Sequence, residues 1–381
     1  MQAEAKAKVR DVRLDFFRGL ALVFIFLDHM PAEVLGKVTL TNFGFSDASE
    51  VFVFISGYSA ALAYAGKLER DGFGFTTARV LRRCWQLYVA HIFLFMVFTA
   101  EVAYLADRFS NPMFSEEMDI ASLVDLPHVA LMQALLLKFR PSFMAILPLY
   151  ITLLGVFPLV LLGLARAWGL TLAASVALWA ATRHFGWDLP SYPDGTVWFF
   201  NPLAWQLIFV AGAALGGRGA KRASLLRPAT RRVLLPLAVA YLVFALAVMM
   251  AVDRPVLEHQ IPQMLERMLF PLDKTHLDPL RLLHFLCLAY VVSCVFRHDS
   301  PLLRTKAARP WILCGRHSLE VFCFGTFLAF GCHFLAVAML PGRVWDVVLS
   351  VGGVAAMMGL AWMLAWFQAA ERQRRGGGAA A

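Results

Sequence analysis

The sequence predicts an all-α integral membrane protein with about ten transmembrane helices and both termini on the cytoplasmic side. The 381-residue chain is 60% hydrophobic and only 16% charged, whereas soluble domains are about 45–50% apolar and about 25% charged. Apolar runs close to the ~20 residues that cross a bilayer recur along the chain. This composition indicates that the lipid bilayer is a partner, and it excludes a disordered chain, a disulfide-stapled secreted domain and an ordinary cytosolic enzyme.

Ten apolar runs have about the length of a membrane span. They cover residues 14–31, 49–66, 84–106, 142–165, 168–185, 202–217, 233–252, 280–296, 317–340 and 344–367. With the N-terminus in the cytoplasm, 24 of the 35 Lys and Arg residues fall on the cytoplasmic side, ten fall on the opposite side and one lies inside the first span. This asymmetry is the positive-inside pattern and predicts the N-in, C-in orientation.

The predicted organisation is one transmembrane domain over residues 14–367, flanked by a cytoplasmic tail over 1–13 and a flexible cytoplasmic tail over 368–381. The first span follows a polar segment and lacks a small-residue cleavage site, so we expect it to be retained rather than removed as a signal peptide. The run 129–137 is too short to span and is predicted as an interfacial or re-entrant helix.

The net charge of +9 follows from the basic cytoplasmic segments, and we predict no nucleic-acid partner. The six cysteines lie in or beside apolar runs without metal-type pairing, so we expect free, buried thiols and no bound metal. The chain contains no phosphate-binding loop, metalloprotease motif or nucleophile elbow. Nucleotide hydrolysis and metalloprotease chemistry are therefore not expected.

Ionisable residues in the first span are the strongest functional signal, because charge at membrane depth is costly. Arg18 and His29 are eleven residues apart, which places them on one helix face about 16 Å apart along the axis. Asp15 lies close to the same face. An Arg near the cytoplasmic end can hold the phosphates of an anionic donor, and a His near the outer end can act as general base on a hydroxyl. The alternative is that Arg18 snorkels to the inner surface and His29 lies at the outer interface.

The second span begins at the outer level with Asp47 and Glu50, which share a helix face. Either carboxylate could orient His29 or stabilise its imidazolium form. The alternative is that they only cap the helix and interact with the positive end of its dipole.

Further polar residues lie at the ends of later spans. Trp205 and Gln206 follow an Asn-Pro helix start, and Arg281 and His284 form an i, i+3 pair at the outer boundary that could bind a sugar hydroxyl or a carboxylate. Interfacial anchoring is an equal alternative for these residues. Arg316 could join Arg18 in a basic donor site, or simply pair with Glu320 one turn further on.

Several blocks of the sequence, in order, resemble the OpgC family. They are Leu14 to Leu22 with Asp28-His29, Phe43 to Glu50, Phe52 to Tyr58, Phe200 to Gln206, Pro279 to Phe285 and His317 to Phe322. Members of this family are inner-membrane proteins that succinylate osmoregulated periplasmic glucans, within the wider acyltransferase-3 group. That group has an Arg and a His separated by ten residues in its first span, so the resemblance implies His29 as catalytic base and Arg18 as a donor-side residue. The late Gly-x-x-Ser motif of the group is followed here by Leu-Glu, so no catalytic role is carried over to Glu320.

The residues and the resemblance together predict an inner-membrane O-acyltransferase. It would move a succinyl or other acyl group from cytoplasmic acyl-CoA, a co-substrate rather than a bound cofactor, to hydroxyls of periplasmic glucan or another polysaccharide. The predicted catalytic residues are His29, Glu50 and Asp47. The residues predicted to bind the donor are Arg18, Asp15 and Arg316. Those predicted to bind the acceptor are Arg281, His284, Trp205 and Gln206. The acyl group can be succinyl or acetyl. The transfer can be direct or can pass through a covalent acyl-His step. The alternative functions are a transporter or flippase and a non-catalytic partner of a glucan synthase.

Overall fold

The computed structural model describes residues 11–30, 33–216, 228–252, 269–296, 300–339 and 342–377. These residues form helices, with two isolated β-bridges in loops and no strand in the described ranges. The α-helices are α1 (Val12–Asp28), α2 (Glu33–Gly36), α3 (Ala48–Arg108), α4 (Met113–Glu117), α5 (Ala121–Asp125), α6 (Pro127–Leu135), α7 (Ile146–Arg166), α8 (Trp168–Phe185), α9 (Pro202–Gly216), α10 (Pro228–Val252), α11 (Pro279–Val295), α12 (Arg309–Arg316), α13 (Ser318–Phe334) and α14 (Arg343–Gly377). Short 3₁₀ turns lie at Leu40–Asn42 and Pro301–Arg304, and a π-helical turn at Leu335–Met339 extends α13.

The all-α membrane class is confirmed, because each of the ten apolar runs coincides largely with a helix. Five helices in the described ranges are long and apolar enough to cross a membrane: α3, α7, α10, α13 with its π-helical extension, and α14. Helices α9 and α11 are apolar but shorter. The count of ten spans and the N-in, C-in orientation stay predictions.

Helix α3 contains two predicted spans in one 61-residue element. Gly72 interrupts it with φ 79° and ψ 175°, a left-handed region of φ that only glycine enters without strain. The predicted cytoplasmic segment 66–83 is therefore helical on both sides of this break. The predicted short helix at 129–137 is observed as α6, and the predicted flexible tail begins inside α14, which runs to Gly377.

Helix α1 lies at the centre of the bundle and packs against α3, α12, α13 and α14. Its approach to α12 is close because both helices present a glycine. A Cβ added to Gly19 would overlap the carbonyl oxygen of Trp311, and one added to Gly315 would overlap the carbonyl oxygen of Asp15. Small residues of this kind let membrane helices pack backbone to backbone.

Helices α3 and α9 form the most extensive helix pair in the described structure, and it has the same basis. A Cβ at Gly57 would overlap the Phe209 carbonyl. Gly212 and Gly216, one turn apart on α9, lie equally close to the backbone of Phe54 and Tyr58. This contact fixes the start of α3 against the rest of the bundle.

The Gly57→Ala variant should be less stable than the wild type, since overpacking a tight contact costs about 1–3 kcal/mol. Gly66→Ala is the matched control in the same helix, because nothing lies within 4 Å of its added Cβ and Ala favours a helix over Gly. Thermal unfolding of the detergent-solubilised protein should show a lower Tm for Gly57→Ala and an equal or higher Tm for Gly66→Ala. Equal Tm values for the two variants would contradict the close-packing assignment.

Candidate active site

Helix α1 carries the two predicted key residues at different levels of the bundle. The helix is continuous from Val12 to Asp28, so Arg18 and His29, which follows its last residue, are separated by about 16 Å along the axis. Arg18 donates hydrogen bonds to Ser59 Oγ at 2.5 Å and to the Ile55 carbonyl oxygen at 3.3 Å. The ring of His29 stacks on Phe143, with 4.1 Å between centroids and 26° between planes.

Arg18 lines a cavity of about 200 Å³ between α1, α3, α7 and α13. The same cavity is lined by Arg83 of α3, Tyr150 of α7 and Ser318 at the start of α13. Two guanidinium groups and several hydroxyl groups around one cavity form a set of donors suited to an anion such as a phosphate.

Sequence analysis missed Arg83 and Tyr150 as site residues. By sequence, Arg83 is one of several basic residues in a predicted cytoplasmic segment. Helical periodicity could not have related it to Ser59, because the break at Gly72 removes the constant 100° per residue between the two positions.

Arg316 does not line this cavity and instead lies beside the third predicted donor residue. Its Nε is 3.4 Å from Oδ2 of Asp15, which is buried at the contact between α1 and α12. In the described residues Arg316 therefore pairs with Asp15 rather than with its i, i+4 neighbour Glu320. A donor-binding role for Asp15 and Arg316 stays a prediction.

At the outer level, Asp47 and Glu50 cap α3 in a reciprocal capping box. Ser49 N donates to Asp47 Oδ1 at 2.7 Å, and Asp47 N donates to Glu50 Oε2 at 2.9 Å. Both backbone donors are thus satisfied by the arrangement that stabilises helix starts. Capping accounts for only one oxygen of each carboxylate.

The remaining carboxylate oxygens bind two cations from a distant part of the chain. Arg281 of α11 donates from Nε and Nη2 to Glu50 Oε1, at 2.9 and 2.6 Å, and from Nη2 to Asp47 Oδ2 at 2.9 Å. Lys274 Nζ lies 2.6 Å from the same Asp47 oxygen. Burial alone would raise the pKa of the Asp47 carboxyl, but the charges of Lys274 and Arg281 outweigh it and hold that pKa well below its ordinary value. We call these four side chains the outer charge cluster.

Lys274 is the member of this cluster that sequence analysis missed. It lies in the loop before α11, where no periodic pattern marks a functional residue. The loop is fixed from α9, because the Trp205 indole donates to the Lys274 carbonyl oxygen at 2.9 Å and Asn201 N donates to the Thr275 carbonyl oxygen at 3.2 Å.

The four predicted acceptor-binding residues make internal contacts. His284 is buried, with Nδ1 hydrogen-bonded to Ser46 Oγ at 2.7 Å and its ring against Gly44, and Arg281 is buried in the outer charge cluster. Trp205 is fully buried and holds the Lys274 loop, and Gln206 exchanges hydrogen bonds with Ser175 of α8. These contacts make them positioning residues, and contact with an acceptor stays a prediction.

Asp28, the residue before His29, accepts a hydrogen bond at 3.0 Å from Thr41, which lies six residues before Asp47 of the outer charge cluster. No hydrogen bond joins His29 to Asp47 or Glu50 in the described part of the chain. The segment that leads into α3 is therefore tied to the end of α1, and direct orientation of His29 by either carboxylate stays a prediction. Within the described ranges, no group of three or more His, Cys, Asp or Glu residues could hold a metal ion.

The chain was compared with known families, curated proteins and solved structures. A family model described as "OpgC protein" matches residues 10–369, which is nearly the whole chain. No curated protein and no solved structure matches it.

Arg281→Met should destabilise the protein by about 3–5 kcal/mol, because it leaves two adjacent carboxylates without their buried partner. Arg183→Met is the matched control: Arg183 pairs with the more exposed Asp273 and Asp278 at 3.9 and 3.4 Å, and exposed pairs contribute about 0–1 kcal/mol. Denaturant unfolding of both variants checks this difference. A similar loss in the two variants would show that the outer charge cluster is not a main stabilising contact.

Proposed function

Because the chain belongs to the OpgC family, we propose that it is a membrane O-acyltransferase. It transfers a succinyl group from cytoplasmic succinyl-CoA to hydroxyls of a periplasmic glucan, in the bacterial inner membrane. Family membership supports a glucan-modifying acyltransferase; the acyl group, the CoA donor and the direction across the membrane belong to the proposal.

The observation that carries the proposal is the placement of Arg18 and His29 on one central helix. Arg18 faces a cavity that it shares with Arg83, and His29 lies about 16 Å further along α1. A donor with phosphates at one end and a thioester at the end of a long arm matches this separation. The pantetheine arm of an acyl-CoA is such an arm.

The donor end of the site binds phosphate. Arg18 and Arg83 supply guanidinium N–H groups, which bind phosphate oxygens in pairs. Tyr150 and the serines of the cavity add hydroxyl donors. Binding energy from the nucleotide end then positions the reactive thioester, which is how remote contacts accelerate a reaction.

At the outer end, His29 acts as general base. A glucan hydroxyl transfers its proton to the imidazole while the hydroxyl oxygen attacks the thioester carbonyl carbon. The carbon–sulfur bond then breaks, the new ester bond remains on the sugar, and the imidazolium returns the proton to the CoA thiolate. Stacking on Phe143 restricts the orientation of the ring, so that less entropy is lost when the hydroxyl is bound. In the alternative order, the imidazole nitrogen first takes the acyl group and passes it to the hydroxyl in a second step.

The His29→Ala variant should abolish modification of periplasmic glucans in cells that produce the protein. General-base removal costs about 10²–10⁴-fold in rate. Mass spectrometry should detect glucans carrying a succinyl increment with the wild-type chain and unmodified glucans with His29→Ala or without the chain.

The control for this experiment is His128→Ala, which removes an exposed histidine of α6 and should leave modification intact. Full modification by a folded His29→Ala protein would refute the mechanism. An acetyl increment would keep the enzyme and change its donor, and unmodified glucans in every strain would favour another polysaccharide acceptor or the transporter.

Arg18→Met and Arg83→Met should each raise the KM for acyl-CoA. Loss of a charge-assisted hydrogen bond costs about 1.5–3 kcal/mol, which corresponds to about ten- to a hundredfold in binding. Arg82→Met is the matched control, because Arg82 is adjacent in sequence, exposed and absent from the cavity lining. Steady-state kinetics of the three purified variants measure the KM of each for acyl-CoA. An increase of KM that is as large in Arg82→Met as in Arg83→Met would argue for a general surface charge effect instead of a cavity.

A further inference from the structure

Lys274 is the more accessible of the two cations in the outer charge cluster. Its side chain is 28% exposed, against 10% for Arg281 and none for Glu50. Arg281 directs its Nε and Nη2 groups to the two carboxylates of the outer charge cluster. Lys274 contacts only Asp47 among the carboxylates of the described residues.

The ammonium group of Lys274 has donors to spare. An ammonium carries three N–H donors, and one of them is directed at Asp47 Oδ2. The rings of Phe199 and Phe200 flank the group, with centroids 5.5 and 5.4 Å from Nζ. The electron-rich faces of aromatic rings attract a cation. Among the described residues Asp47 is the one carboxylate that pairs with this ammonium, which leaves donors for a second anion.

The position of this ammonium is set before any substrate arrives. The Trp205 indole holds the Lys274 carbonyl oxygen, Asn201 holds the next residue, and Asp47 and the two phenyl rings hold the end of the side chain. A preorganised cation loses little entropy when it binds a ligand. An anion at this position also gains from the lower local dielectric of a partly buried site.

Lys274 also lies on the side of the bundle where α1 ends: it pairs with Asp47 at 2.6 Å, and Thr41, six residues before Asp47, donates a hydrogen bond at 3.0 Å to Asp28, the residue before His29. Arg18 is about 16 Å from His29 along the axis of α1. During transfer, the carbonyl carbon of the acyl group must lie beside the hydroxyl that His29 activates. In a short dicarboxylic acyl group the free carboxylate is only a few bonds from that carbon, so Arg18 is out of its reach.

We propose that Lys274 binds the terminal carboxylate of the acyl group during transfer and thereby selects dicarboxylic over neutral acyl groups. This inference rests on the acyltransferase function proposed above. In the reaction the hydroxyl oxygen replaces the CoA sulfur on the thioester carbon, and the carboxylate held by Lys274 is neither made nor broken. Lys274 is thus a specificity-determining residue that touches the substrate.

The test compares succinyl-CoA with acetyl-CoA as donors for the purified protein and three variants, with glucan as acceptor. Lys274→Met should lower the ratio of kcat/KM for succinyl-CoA to that for acetyl-CoA by about ten- to a hundredfold, the effect of one charge-assisted hydrogen bond. Lys274→Arg keeps the charge and should keep the preference for succinyl-CoA. Lys138→Met removes an exposed lysine of the same predicted side and should leave the ratio unchanged.

A second measurement needs no variant and so does not depend on the folding of Lys274→Met. The CoA thioester of succinamic acid has the shape of succinyl-CoA but carries a neutral amide in place of the carboxylate. The wild-type protein should use it at least tenfold less efficiently than succinyl-CoA.

The outcomes separate this inference from the function on which it rests. Equal use of the succinamic thioester, an equal loss of both donors in Lys274→Met, or a wild-type preference for acetyl-CoA would each overturn the role of Lys274 and keep the acyltransferase. Transfer of neither acyl group by the wild-type protein would overturn both.

Discussion

Arg281 reaches from the first turn of α11 to the start of α3, where it donates hydrogen bonds to both Asp47 and Glu50. These groups are buried, and removing charges from water costs several kcal/mol per ion unless partners compensate for it. Arg281 and Lys274 supply the compensating positive charges. The start of α3, the start of α11 and the loop that carries Lys274 must therefore keep fixed positions relative to one another.

The inner and outer parts of the site are connected by α1. Glycine contacts with α12 hold α1 at the centre of the bundle. Glycine contacts with α9 hold α3, which also packs against α1. A rigid central helix keeps Arg18 and His29 at a fixed separation, which is the property that a long, two-ended donor requires. Backbone packing remote from the chemistry thus supports the alignment of the reacting groups.

The polar residues near the outer end divide into two kinds. Arg281, His284 and Trp205 are buried and complete the hydrogen bonding of neighbouring segments, so their part is to hold the site together. Lys274 and His29 are partly exposed, and their side chains contact Asp47 and Phe143 respectively. Groups that are both preorganised and accessible are the ones able to act on a substrate. This distinction is the reason that we propose Lys274, a lysine in a loop, as a residue that binds the substrate.

The sequence by itself determined the membrane class and the positions of the apolar helices, and it left capping of α3 by Asp47 and Glu50 as one of two alternatives. Each of these depends on residues within one or two helical turns or on the length of an apolar run, so local periodicity and composition specify it. The tertiary structure alone decided that Glu50 binds Arg281, 231 residues away, that Arg83 joins Arg18 in one cavity, and that Lys274 pairs with Asp47. These contacts depend on how helices pack and on where a loop is held, and no periodic pattern along one chain encodes a distance between segments so far apart.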